Sequence, residues 1–359
     1  MSIHRMVARV AVLAALVSAF AAAPLALAAP RDLPQLPHTL PSIMPHDSNV
    51  ITLNEESIDG PAFWSIASGE PEPGPNAPIA VLAWTGTDAA HSLNVMTSTD
   101  GINYGNKITL DEESFTRPSV LLLRQNNANI IVLAWTGTDA NHSLNVMYDV
   151  YGAQRKITIG DDSNYAPSLA FFQGQVLLAW TGTDINHSLN IKQMGSQGLT
   201  DGAKTILSQY SSDAQPSIFT DIRDHQLLLT WSYNSSPNWI NVASSPDGVN
   251  FTEPLAGGPP PQTSNAAPDM MAVSQTIESM YPYYWTWTGT DPLHSINITA
   301  TNTLNNWPAP IVTTDQQAFG GPVLGFIGQE NEVLIVWTGI DAAHHLNIMT
   351  LDTTSLPPL

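Results

Sequence analysis

Trp84, Asp88, His91 and Asn94 share one short stretch, Trp84-Thr85-Gly86-Thr87-Asp88-Ala89-Ala90-His91-Ser92-Leu93-Asn94. An indole offers an apolar face to sugar C–H groups. The carboxylate, imidazole and carboxamide offer planar donors and acceptors to hydroxyls. The set returns as Trp135, Asp139, His142 and Asn145, and as Trp180, Asp184, His187 and Asn190. It returns again as Trp287, Asp291, His294 and Asn297, and as Trp337, Asp341, His344 and Asn347. A further copy keeps Trp231 and Asn241 but has Ser235 and Asn238 in place of the Asp and His. Repeated weak sites of this kind gain affinity through avidity. The same residues also have a structural reading. An Asp in a tight turn caps backbone N–H groups, and the His can bond that Asp or the adjacent repeat.

A metal centre fits the set less well. Asp-x-x-His supplies two ligands, and zinc takes at least three from protein. Calcium suits acidic loops, but no EF-hand or RTX-type pattern occurs. No cofactor is expected.

The six copies start at Trp84, Trp135, Trp180, Trp231, Trp287 and Trp337, at spacings of 51, 45, 51, 56 and 50 residues. Such a period marks a repeat architecture. In each repeat a proline opens an apolar segment: Pro61, Pro118, Pro167, Pro216, Pro268 and Pro322. Proline is tolerated at the first residue of a strand, where its missing N–H costs no ladder bond. A second run, such as Ile130-Ile131-Val132-Leu133-Ala134, ends at the tryptophan. The turn follows, then a third strand such as Ser143-Leu144-Asn145-Val146-Met147 and a fourth such as Lys107-Ile108-Thr109-Leu110. Short strands between turn signals predict an all-β fold. Four per repeat predict antiparallel propeller blades.

The last repeat lacks a fourth strand of its own. Val50-Ile51-Thr52-Leu53, ahead of the first repeat, resembles Lys107-Ile108-Thr109-Leu110. The expectation is a six-bladed β-propeller over residues 48–352, with the N-terminal strand closing the last blade and removing an open edge. Strand direction then gathers the Thr-Gly-Thr-Asp-x-x-His turns on one face. The acidic connections between repeats join them: Asn54-Glu55-Glu56-Ser57, Asp111-Glu112-Glu113-Ser114 and Asp161-Asp162-Ser163.

Two turns between third and fourth strands, Ser98-Thr99-Asp100-Gly101-Ile102-Asn103-Tyr104 and Ser245-Pro246-Asp247-Gly248-Val249-Asn250-Phe251, resemble the Asp-box (BNR) motif. On these residues and the repeat grammar the chain resembles sialidase-type six-bladed propellers. The fold-level resemblance covers about residues 48–352, and the motif is present in two repeats. It implies that the Asp-box turns are structural and that the opposite face bears ligand.

The resemblance also implies three arginines clamping a substrate carboxylate, by bidentate chemistry that lysine does not copy. Of Arg31, Arg117, Arg124, Arg155 and Arg223, only Arg117 falls in a connection on that face. The family's tyrosine nucleophile and its glutamate cannot be placed. Other glycosidases need two carboxylates, and Glu56, Glu113 and Tyr165 are further groups on the face. Asp269 is the candidate catalytic residue, because it breaks the repeat after Pro268 where three repeats have serine. With no partner carboxylate identifiable for it, Asp269 reads first as a satisfied polar residue lining a central channel, and no catalytic residue is expected.

Residues 1–28 read as a signal peptide: Arg5 and Arg9, an apolar run from Val10 to Ala23, and Ala26-Leu27-Ala28 as a cleavage site. That run is shorter than the roughly 20 residues of a spanning helix. Residues 29–47 form a proline-rich linker and 353–359 a tail. Cleavage removes two arginines and takes the net charge from −20 to −22. Such a surface repels nucleic acid and anionic lipid. The chain has no cysteine, so closure must be non-covalent.

These features predict a secreted recognition propeller without catalysis, binding glycans through the face of repeated turns. Binding of an extracellular protein and glycoside hydrolysis are the alternatives.

Overall fold

The computed structural model describes residues 50–66, 77–125, 128–233, 238–253, 262–264, 266–273, 282–304, 311–327 and 332–352. The segments read as signal peptide, linker and tail lie outside the described residues, as do Arg31 and Ser235.

Twenty-two strands and no helix occur among them. Strand β1 is Val50–Glu56. The first repeat holds β2 (Ala62–Ser65), β3 (Ala80–Thr85), β4 (Ser92–Ser98) and β5 (Tyr104–Glu113), paired in that order. The second holds β6 (Ser119–Gln125), β7 (Ala128–Thr136), β8 (Ser143–Tyr148) and β9 (Arg155–Asp162), and the third β10 (Ser168–Phe172), β11 (Gln175–Thr181), β12 (Ser188–Gln193) and β13 (Lys204–Ser211). The fourth shows β14 (Ser217–Asp221), β15 (Gln226–Ser232) and β16 (Ile240–Ser245). Of its expected fourth strand only 262–264 is described, where Thr263 bridges Trp239 and Gln262 O accepts from Ile240 N at 2.9 Å.

The last two repeats depart from separate four-stranded sheets. β17 (Asp269–Ala272), β18 (Tyr283–Thr288), β19 (Ser295–Thr301), β20 (Val312–Ile327), β21 (Glu332–Gly339) and β22 (His345–Asp352) join with β1 in one seven-stranded curled sheet. β20 causes the fusion. Its first half pairs with β19 and its second half with β21, with register shifts on either side. Other connections break at a Ser-x-x-x-Pro element (Ser57, Ser114, Ser163, Ser212, Ser264), whose serine hydroxyl turns to a carbonyl of the next repeat's second strand or its own loop. Ala318 replaces that serine, and Gly320 at φ 83° lets the chain bend while remaining extended. β1 pairs antiparallel with β22, Ile51 opposite Ile348.

The arrangement is a β-propeller. The inner strands contact one another in a closed cycle: β2, β6, β10, β14, β17, β20 and back to β2. Ser119 Oγ accepts from Leu169 N at 2.9 Å, and Ser168 Oγ from Ile218 N at 3.0 Å. Further round, Asp269 bonds Ser217 and Leu324 N, and Ser65 Oγ accepts from Phe326 N. Second and third strands supply most of the core, because both their faces are covered by neighbouring sheets. In every repeat the tryptophan stands directly opposite the asparagine across this strand pair: Trp84–Asn94, Trp135–Asn145, Trp180–Asn190, Trp231–Asn241, Trp287–Asn297 and Trp337–Asn347.

Candidate ligand-binding face

The repeated turn is tightly built. Gly86 N bonds Ser92 O and His91 N bonds Asp88 O, each at 2.9 Å. A Cβ on Gly86 would lie 2.6 Å from Asp88 Oδ2, so the close approach itself requires glycine. Asp88 Oδ1 accepts from Ala90 N and from Ser92 Oγ, both at 3.0 Å. Asp139, Asp184, Asp291 and Asp341 cap their turns in the same way. Burial pushes the carboxyls of Asp88, Asp139, Asp184 and Asp341 up, but the turn hydrogen bonds outweigh it and hold them below the usual carboxylate range.

The histidines serve the backbone. His91, His142, His187, His294 and His344 all have φ between 50° and 56°. This is the left-handed region, where histidine is enriched among non-glycine residues. The rings of His142, His187 and His344 turn to the connections between repeats. Phe115 stacks on His142 at 4.1 Å and Phe319 on His344 at 4.3 Å, while Tyr165 meets His187 edge-on. On the other side His142 Nδ1 bonds Asn164 Oδ1 at 3.0 Å, and His187 Nδ1 meets Asp213.

The tryptophans lie in the core rather than on the face, and all six are 1% exposed. In three repeats a lysine of the fourth strand covers the indole: Lys107 over Trp84, Lys156 over Trp135 and Lys204 over Trp180, at 5.1–5.3 Å. Each lysine reaches a carboxylate of the preceding repeat: Glu55, Glu112 and Asp161. These carboxylates belong to the ends of β1, β5 and β9 rather than to loops, because a bulge lets each fourth strand run on past the turn. The asparagine spans third and fourth strands. Asn94 donates to Ser92 O and accepts from Thr109 Oγ1 at 2.6 Å, and Asn145, Asn297 and Asn347 repeat the motif with Thr158, Thr313 and Thr52.

Between the first two repeats these groups surround a pocket of about 400 Å³, walled by Glu112, Glu113, Thr138, Asp139, Ser143 and Lys156. Polar groups dominate it, and the exposed aromatic rings of this face come from the connections. Phe115 is 47% and Phe319 41% exposed. Neither stood out in the sequence, because the aromatic position does not repeat from one connection to the next. The one available signal was an aromatic residue inside an otherwise polar connection.

Asp269 lies on the central channel. It accepts from Ser217 Oγ at 2.7 Å and Leu324 N at 2.8 Å, so it carries the hydrogen bonding between inner strands. Burial pushes its carboxyl up. Arg117 is buried at the same end. Its Nη1 donates to Gly321 O at 3.0 Å, and its backbone N–H to Asp59. Arg124 lines the channel further along, Arg155 opens β9 and Arg223 follows β14. Among the described residues these arginines do not gather into a clamp. No group of three or more His, Cys, Asp or Glu side chains placed to hold a metal occurs among them either. No helix among them is long and apolar enough to cross a membrane.

No protein-family model matches the chain, and no curated protein matches it. Solved structures do. A mutant of Trypanosoma rangeli sialidase displaying trans-sialidase activity aligns with TM-score 0.52 at 11% identity, over 86% of this chain and 59% of that one. Trypanosoma rangeli sialidase in complex with sialic acid aligns with TM-score 0.50 at 9% identity, over 87% and 60%. The fold is that of a sialidase-like β-propeller. The chain thus spans about three-fifths of the length of those sialidases. At these identities the likeness is one of fold, and function has to be argued from the site.

Proposed function

We propose that this protein is a non-catalytic recognition propeller that binds glycans through the face of repeated turns. The observation that carries this reading is the pairing of half-exposed aromatic rings with histidines, Phe115 on His142 and Phe319 on His344, on a face that also holds the polar pocket between the first two repeats. A sugar ring needs an apolar platform and, next to it, groups that read hydroxyls. Phe115 supplies the first, and Glu113, Thr138 and Asp139 the second. A glycan array probed with the full chain tests this. Saturable binding to a defined sugar that weakens in a Phe115→Ala/Phe319→Ala variant of unchanged melting temperature supports it. A blank array overturns it.

A protein partner is the second reading. Ile185, Leu293 and Ile340, all in the turns of this face, are 96%, 59% and 50% exposed. Each stands at the tip of a different repeat's turn, so a partner spanning the face would meet an apolar side chain at the third, fifth and sixth repeats.

We further propose that the ring counts six blades, the last two sharing β20, and that the Ser98–Tyr104 and Ser245–Phe251 turns are Asp-boxes. The cyclic contacts of six inner strands support the count. The two turns support the motif by folding alike, with Asp100 and Asp247 each accepting from the backbone and side chain of the Asn three residues on. The basic, apolar and small-residue order of residues 1–28 supports export. Recovery from culture medium with Ala29 as the first residue is the expected result.

A further inference from the structure

The channel enclosed by the inner strands is a second, separate cavity, with a volume of about 550 Å³. That is within the usual size of a small-molecule pocket. Its end beneath the turn face is filled. Arg117 is 6% exposed and lies across that end, where a Cβ on Gly60 or Gly321 would come within 3.2–3.3 Å of its Nη1. Further along the wall Phe171 is 37% exposed.

The middle of the channel is apolar. Phe63, Trp64, Leu121, Phe171, Phe219 and Met271 line it. Water in such a belt finds few hydrogen-bond partners, and roomy apolar cavities accept apolar molecules instead. The filled end differs. Ser119 and Ser168 each accept one backbone N–H, and neither hydroxyl hydrogen has an acceptor among the described residues. Their neighbour Ser217 has spent its own hydrogen on Asp269. Two O–H donors on adjacent inner strands thus remain at this end of the channel. Asp269 and Arg117 face one another at this end and offset each other's charge, Arg124 is taken up against the Trp64 ring, and the aromatic wall disfavours a strongly hydrated ligand.

We propose that the central channel binds a small uncharged apolar molecule carrying one carbonyl-type acceptor. Its apolar body lies against Trp64, Phe171 and Met271, and its acceptor meets the Ser119 and Ser168 hydroxyls. Arg117 separates this site from the repeated turns, so occupancy is independent of the turn face.

Titration of the full chain with Prodan, an uncharged naphthyl ketone whose emission reports both apolar surroundings and hydrogen bonding to its carbonyl, tests this. The expected result is a saturable phase of one molecule per chain with blue-shifted emission. Met271→Trp, which fills the channel, should abolish that phase, whereas Phe115→Ala/Phe319→Ala should leave it unchanged. Methionine-methyl NMR on the unmodified protein gives a readout that does not depend on a variant folding. Prodan should shift the Met271 methyl by its ring current. Absence of a saturable phase, an unshifted Met271 methyl, undiminished binding in a folded Met271→Trp protein, or loss of binding in the turn-face variant would each overturn the proposal.

Discussion

Thr338 in the last repeat donates its hydroxyl to the carbonyl of Asp59 ahead of the first, at 2.7 Å across 279 positions of sequence. The same bond joins Thr85 to Thr116, Thr136 to Tyr165, Thr181 to Ala214, Ser232 to Ala266 and Thr288 to Gly320. The hydroxyl residue after each repeated tryptophan therefore laces its repeat to the next, and Thr338 closes the series. Thr338→Val keeps the shape and removes the bond. It should cost about 1 kcal/mol, read as a lower urea midpoint at unchanged slope. Thr136→Val, inside the chain, serves as the comparison. If it destabilises while Thr338→Val does not, the Asp59 bond is not what closes the ring.

Asp269 holds two inner strands at once, which separates its substitutions. Asn can accept from Leu324 N and donate to Ser217 Oγ, so Asp269→Asn should fold. Ala leaves the Leu324 N–H without its acceptor and should cost about 1–3 kcal/mol. The pH dependence follows from burial, which raises this carboxyl above its unfolded value. Its contribution is fully present below the unfolded value and is lost as pH rises through the folded one. Asp269→Asn should therefore gain on the wild type above that window. Equal losses for Asn and Ala at neutral pH would sink this assignment.

The turn carboxyls run the opposite way. Asp88, Asp139, Asp184 and Asp341 lie below their unfolded values, and Asp100 is brought to about 2: burial opposes this, but bonds from Asn103, Ile102 and Ser98 prevail. Groups depressed on folding contribute stability above their unfolded pKa and lose it as pH falls through the folded values. Melting temperature should thus fall between about pH 4 and pH 2. Asp139→Asn should flatten part of that fall while lowering the plateau. A melting curve indifferent to acid would show that these bonds form equally in the unfolded chain.

Much of this architecture was legible because the repeat forces equivalent residues into equivalent places. The pairing of β1 with β22 could be expected from Val50-Ile51-Thr52 alone, since Thr52 repeats the threonine that Asn94 and Asn145 bind elsewhere. The fusion through β20 was not legible. It follows from Ala318 and Gly320 replacing residues of a serine element whose role appears only when the acceptor carbonyls are seen. The tryptophan was read as surface chemistry, but the strands bearing it are covered on both sides and hide the ring. The aromatic platform was missed for the opposite reason. Phe115 and Phe319 share a place beside a histidine, yet no common residue type marks that place in every connection.

Lys156 over Trp135 tests what the covering lysines contribute. Its Nζ sits 5.2 Å from the ring and 2.5 Å from Glu112, with the ammonium partly in water. Solvent screening leaves such a pair worth little, so the stem covering the indole should matter more than the charge. Other repeats support this, since Ile311 and Val50 stand at the lysine's place and pack in the clusters of Trp287 and Trp337. Lys156→Met should stay within about 0.5 kcal/mol of the wild type, as surface changes without a named mechanism do. Lys156→Ala uncovers the ring and should lower the melting temperature further. High salt should move the wild type and Lys156→Met alike. If Met costs as much as Ala, or if salt destabilises only the wild type, the ion pair to Glu112 rather than the stem joins the first repeat to the second.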